Sequence, residues 1–139
     1  MQIEIENPYK KPNTHLINIA IQLNSLLNLN IDHLYLHIIS DEELLNINQQ
    51  FLNHDYYTDI ITFDLRDEDS NDAEIFISLE RVIENAITLN ISPDEELHRV
   101  LIHGLLHLSG IDDKTRSQKI IMRKLELKYL NDLFHVKPI

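Results

Sequence analysis

His103 and His107 stand four residues apart, Gly110 follows three residues after the second, and Asp113 three after that. On a helix, residues i and i+4 are neighbours on one face, so both imidazoles can address a single point. A glycine just past a helix end can take the left-handed conformation that turns the chain back. Such a turn would carry the Asp113 carboxylate round to face the two rings. Two neutral imidazoles and one carboxylate leave the fourth corner of a tetrahedral metal site open, as in a catalytic rather than a structural zinc centre. One divalent cation is therefore expected on His103, His107 and Asp113, with zinc first by ligand type and affinity order and nickel acceptable on the same grounds.

The histidine spacing alone is a weak signal. With eight histidines in 139 residues, chance supplies such a pair in roughly one of two sequences of this kind. His33 and His37 have the same spacing, in a run that reads as a strand. Glycine singles out the stretch 103–113: the chain has two, Gly104 and Gly110, and both lie inside it.

The spacing follows the metzincin pattern H-E-x-x-H-x-x-G-x-x-H with two departures. Gly104 stands where those peptidases carry their glutamate base, and Asp113 where they carry a third histidine. Without that glutamate, ordinary zinc-peptidase chemistry lacks its base. The stretch instead resembles the YbeY family of bacterial endoribonucleases that mature ribosomal RNA, whose signature reads approximately H-G-x-L-H-L-x-G-Y-D-H. Nine of the eleven positions agree, with Ile111 for tyrosine and Asp113 for the last histidine.

A second block resembles the same family, whose pattern there reads roughly L-N-x-x-Y-R-G-K-D-x-P-T-D-V-L-S-F. Asn48, Phe51, Asp55, Thr58, Asp59, Ile60, Ile61, Thr62 and Phe63 match it or are conservative, and Ala73-Glu74-Ile75 stands for Gly-Asp-Ile. The resemblance covers about residues 45–124. It implies a metal-dependent endoribonuclease acting on single-stranded RNA in rRNA maturation and ribosome quality control, with rRNA and ribosomal proteins or assembly factors as partners. It also implies an active-site arginine, and the matching position here is Leu52. His54, two residues on, offers partial positive charge only below about neutral pH.

Asp59 and Asp112 are the candidates for a general base. Each also has a structural reading: Asp59 as a brace of its strand, Asp112 as an acceptor for turn amides. Asp113 in place of histidine makes the site one charge more negative, which favours cation binding and weakens the cation as a Lewis acid.

The net charge of −11 is unusual for a nucleic-acid enzyme, because phosphate contacts come from lysine and arginine. The charge is unevenly spread. Residues 1–113 hold 5 basic and 21 acidic side chains; residues 114–139 hold 7 basic and 2 acidic ones. Lys114, Arg116 and Lys119 directly follow the metal motif and are the candidate RNA-binding residues, drawing phosphate towards it. The blander reading is a solvated helix face.

A hydrophobic fraction of 43% and a charged fraction of 25% fit a soluble globular chain, and the length fits one domain over residues 1–139. With no cysteine, disulfides, Fe–S clusters, thiolate zinc sites and cysteine nucleophiles are excluded. Met1-Gln2-Ile3-Glu4-Ile5-Glu6 has neither the basic nor the apolar part of a signal peptide. No apolar run approaches the length of a membrane span. A cytoplasmic protein is expected.

The positioning elements follow from periodicity and caps. Ile3 and Ile5 alternate with acids as a short strand; apolar residues from Leu16 to Leu27 recur at helical spacing. A strand over 34–39 precedes a helix over 41–52 that opens on the capping-box pattern Ser40-Asp41-Glu42-Glu43. The β-branched run 58–65 reads as a central strand, able to pair as a hairpin with a strand over 73–78. A helix over 80–89 leads to Ser92-Pro93-Asp94-Glu95, a strong helix start. The helix it opens, 93–109, is apolar nearly all round and is therefore buried. A last helix spans 115–133. The sum is an α+β domain, a mixed sheet of about four strands packed on helices, with a buried central helix carrying the histidines.

Two rival functions stand beside the nuclease. One is a metallopeptidase or other metal-dependent hydrolase of small substrates. The other is a non-catalytic ribosome-assembly module in which the metal is a staple.

Overall fold

Alternation of apolar and polar residues builds the sheet. Ile3 and Ile5 of β1 (Gln2–Glu6), Leu34, Leu36 and Ile38 of β2 (His33–Ile39), and Ala73, Ile75 and Ile77 of β4 (Asp72–Ser78) stand on one face in register. With β3 (Ile60–Asp64) they form a four-stranded sheet in the order β1-β2-β4-β3. β1, β2 and β4 are parallel, and β3 pairs with β4 as the antiparallel hairpin expected from the sequence. The computed structural model describes residues 1–9, 13–52 and 58–134.

Among the described residues five helices complete the element order: α1 (Thr14–Leu26), α2 (Asp41–Leu52), α3 (Leu79–Leu89), α4 (Pro93–Leu108) and α5 (Arg116–Phe134). Of these, α4 is the axis of the domain. It packs against α1, α3 and α5 and against β3 and β4. Leu97, Val100, Leu101, Ile102, Leu105, Leu106 and Leu108 are all buried on it, which is what an apolar circumference demands. Among the described residues no helix is long and apolar enough to cross a membrane.

The run 58–65 is a strand but not a central one. β3 lies at the sheet edge. It is apolar on both faces because both are covered: Ile60 and Thr62 lie under α4, where Gly104 approaches them, and Phe63 meets Phe51 of α2 on the other side. An edge strand clasped between two helices carries the composition of an interior one. For the same reason the helices do not form a single layer, since α2 covers the reverse face at β3 and β4.

Helix boundaries are held by side chains that the sequence announces. Ser40 and Glu43 form the reciprocal box at the start of α2: the Glu43 amide donates to Ser40 Oγ at 3.1 Å and the Ser40 amide to Glu43 Oε1 at 3.4 Å. Ser92 Oγ accepts from the Glu95 amide ahead of α4. At α1, in contrast, Asn13 is the N-cap without a side-chain bond to the helix, because its Oδ1 accepts from Asn7 Nδ2.

The exit from α4 sets the site. Gly110 has φ +100°, a conformation that side chains with a Cβ rarely adopt. The Gly110 amide donates to the His107 carbonyl and the Ile111 amide to the Leu106 carbonyl, the paired bonds of a Schellman turn. Ile111 then packs on the core. Arg66 donates to the Leu108 and Leu29 carbonyls while its guanidinium grips Asp64, a cation placed at the C-terminal end of α4. Five residues after Ile111 the chain enters α5 through a second capping box, with the Gln118 amide on Thr115 Oγ1 and the Thr115 amide on Gln118 Oε1. The reversal that carries Asp113 is fixed at both ends.

Candidate metal centre

His103 and His107 sit on consecutive turns of α4 with ring centroids 4.5 Å apart and planes nearly perpendicular. Asp113 returns to face them: Oδ2 lies 3.3 Å from His103 Nε2 and Oδ1 lies 3.5 Å from His107 Nε2. One donor atom from each of the three falls within 4.8 Å of the others, and among the described residues no other histidine or carboxylate group of three converges so closely. The donor chemistry fits a divalent cation, two imidazole nitrogens and a carboxylate oxygen directed at one point with a side left open. That side is a cleft of about 670 Å³. One wall is Arg99, His103, His107 and Asp113; the other is the stretch Asp59 to Thr62 with Asn48 and Leu52 of α2.

Behind the histidines lies a network that the sequence reading missed. His103 Nδ1 is 2.6 Å from Glu126 Oε2, and the Glu126 side chain is 3% exposed. Arg99 donates from Nη1 to Glu126 Oε1 at 2.9 Å and grips Glu96 by both oxygens at 2.6 Å. Its Nη2 also faces Asp59 Oδ2 at 3.9 Å. Burial works against an ionised Glu126, yet the His103 hydrogen bond and the Arg99 charge outweigh it and hold the carboxyl below its usual range. Burial would likewise lower Arg99, and its bonds to Glu96 and Glu126 reverse this and raise it. At Asp59 burial wins: the carboxyl is raised above the ordinary range despite the pull of Arg99.

Two signals in the sequence pointed to this network. Arg99 lies one helical turn before His103, on the same face. Glu126 interrupts the buried stripe Met122, Glu126, Leu130 of α5, where an unpaired acid would be costly.

Asp59 lines the cleft and also braces its surroundings, its carbonyl accepting from the Ser78 amide and its carboxylate from Asn85 Nδ2. Asp112 is exposed and lies outside the cleft walls. Lys114, Arg116 and Lys119 are exposed on the turn after Asp113 and the first turns of α5, and none lines the cleft. Leu52, where the resemblance implies an arginine, does line it. His54 lies outside the described residues.

Comparison with known proteins bears on this arrangement. Residues 2–134 match the family model described as Endoribonuclease YbeY. A protein named Endoribonuclease YbeY from Bacteroides thetaiotaomicron is 50% identical over 91 residues, 66% of each chain. Another of that name from Cytophaga hutchinsonii is 53% identical over 88 residues, 63% of this chain and 62% of its own. The matched stretch thus spans somewhat less than two thirds of these relatives. A solution structure of a Thermotoga maritima protein is similar at TM-score 0.64 and 30% identity, covering 96% of this chain and 89% of that one. With a family match running almost end to end, this chain belongs to the YbeY family.

Proposed function

We propose that this protein is a metal-dependent endoribonuclease that cuts single-stranded RNA during rRNA maturation and ribosome quality control in the cytoplasm. The observation that carries the reading is the convergence of His103, His107 and Asp113 on the lining of an open cleft, in a chain of this family. The imidazole Nε2 atoms and the Asp113 carboxylate would hold the cation, with zinc preferred and nickel next. When bound, a divalent cation supplies Lewis-acid polarisation of a phosphoryl oxygen and lowers the pKa of a neighbouring water. Arg99 is committed to carboxylates on two sides, so it neutralises the protein rather than the substrate. Lys114, Arg116 and Lys119 attract the RNA backbone from outside the cleft. Unstacked strands suit such a cleft better than a duplex does.

Asp59 is the residue proposed to take up a proton during attack. It lines the cleft, and burial keeps its proton affinity above that of an ordinary carboxylate. Asp112, exposed and off the walls, is left with the turn. Peptidase chemistry is disfavoured by packing as well as by sequence. A Cβ at Gly104 would lie 2.7 Å from Ile60 Cδ1 and 3.1 Å from Thr62 Cγ2, so a glutamate there would require both side chains to shift.

The test is cleavage of labelled single-stranded RNA by metal-loaded protein, with a labelled peptide alongside and a chelator control. RNA cleavage that stops with chelator, weakens with added salt and is lost in Asp113→Ala supports the reading. Peptide cleavage, or RNA cleavage unaffected by chelator, rejects it.

A further inference from the structure

We propose that Glu126 is a positioning residue for the metal, fixing through its hydrogen bond the proton of His103 on Nδ1 so that Nε2 faces the cation. The inference rests on the reading of His103 as a ligand. Its physical basis is how the two oxygens of one buried carboxylate are used. Oε1 accepts from Arg99 Nη1 at 2.9 Å, with Arg123 Nη1 at 3.3 Å, and Oε2 meets His103 Nδ1 at 2.6 Å. The guanidinium pins the carboxylate from one side and leaves the other oxygen aimed at the ring. An ionised carboxylate can only accept, so the ring must donate from Nδ1, and the lone pair of Nε2 points towards Asp113.

Neutralising Arg99 does not account for Glu126. Glu96 already takes Arg99 in a fork, with both contacts at 2.6 Å. Glu96 and Glu126 are both buried acids of one network, at 0% and 2% exposure, yet only Glu126 touches a ligand. An outer carboxylate that orients a metal-bound imidazole and raises its basicity is typically worth about 10–100-fold in metal affinity.

That difference makes the experiment. Zinc affinity is measured by chelator competition on wild type, Glu126→Gln and Glu96→Gln, and the tautomer of His103 is read in metal-free wild type by long-range proton–nitrogen NMR. The expected result is an Nδ1-protonated His103, a loss of about tenfold or more in Glu126→Gln, and a change under about threefold in Glu96→Gln. Wild-type affinity in Glu126→Gln, or equal losses in both variants, overturns the proposal. So does an Nε2-protonated His103, which decides the matter even if Glu126→Gln fails to fold. Absence of zinc binding by wild type would overturn the metal centre itself, a failure distinct from zinc-binding wild type with an indifferent Glu126→Gln.

Discussion

This chain carries the same histidine spacing twice, and the two copies do different things. His33 and His37 are on β2, where four residues advance the chain by about 13 Å. His103 and His107 are on α4, where four residues bring the rings to 4.5 Å. The strand pair therefore finds separate partners. His33 Nδ1 meets Asp72 at 3.4 Å, while His37 has Glu6 on one ring nitrogen and Glu74 on the other, at 3.3 and 2.7 Å. His33 and His37 thus share no carboxylate. The helix pair faces one carboxylate from the same side. Spacing becomes a site only when secondary structure turns it into distance and a turn supplies the third donor.

The largest expected effect breaks that contrast directly. His103→Ala, His107→Ala and Asp113→Ala should each bring bound metal well below one per chain after dialysis, exceeding the roughly 10–100-fold loss typical of an outer partner. His33→Ala and His37→Ala should retain wild-type stoichiometry. Elemental analysis on the five variants checks both halves, and stoichiometric metal in all three ligand variants would remove the distinction between the pairs.

A smaller effect concerns the turn that only the helix pair possesses. Gly110→Ala places a Cβ on a backbone at φ +100°, a strain of about 1–3 kcal/mol. Nothing lies within 4 Å of that Cβ, so any loss comes from the backbone and not from a clash. Urea unfolding of metal-free protein should show this loss. Zinc affinity should fall with it, because Asp113 is reached through Gly110. Asn90, at φ +56° after α3, shows that milder left-handed positions tolerate a side chain.

The metal centre was legible because its signals are local. Two histidines one turn apart, a glycine exit and a carboxylate three residues on all lie within eleven positions. The same locality explains the capping residues Ser40 and Ser92 and the boundaries they set. What sequence reading missed is non-local. Glu126 is 23 residues from His103, and Arg66 is 42 from Leu108. β3 was misplaced within the sheet since local composition reports how well a strand is covered, not whether it has one neighbour or two. Arg99 one turn before His103 and Glu126 on an apolar stripe were the traces of the network, charges that needed partners no local pattern could name.

The smallest effect sharpens the comparison through the carboxylates around each pair. Next to the strand pair, Glu74 is about one third exposed, and its contact with His37 is the kind worth about 0–1 kcal/mol. Around the helix pair burial makes the acids matter, and in opposite directions. The Asp59 carboxyl is raised, so its charged form is disfavoured by folding; metal-free protein bears that cost at neutral pH and sheds it as pH falls through the raised value. Asp59→Asn should thus melt slightly above wild type at neutral pH, with the gain vanishing in acid, even as RNA cleavage is lost. The Glu126 carboxyl is lowered, so its stabilisation is present above the ordinary carboxyl range and disappears as pH falls through the lowered value. Glu126→Gln should melt below wild type at neutral pH, with the deficit closing in acid. Thermal melts of the metal-free variants across pH check the two signs together. If both variants shift the same way, or neither difference depends on pH, the helix pair is no more deeply embedded electrostatically than the strand pair.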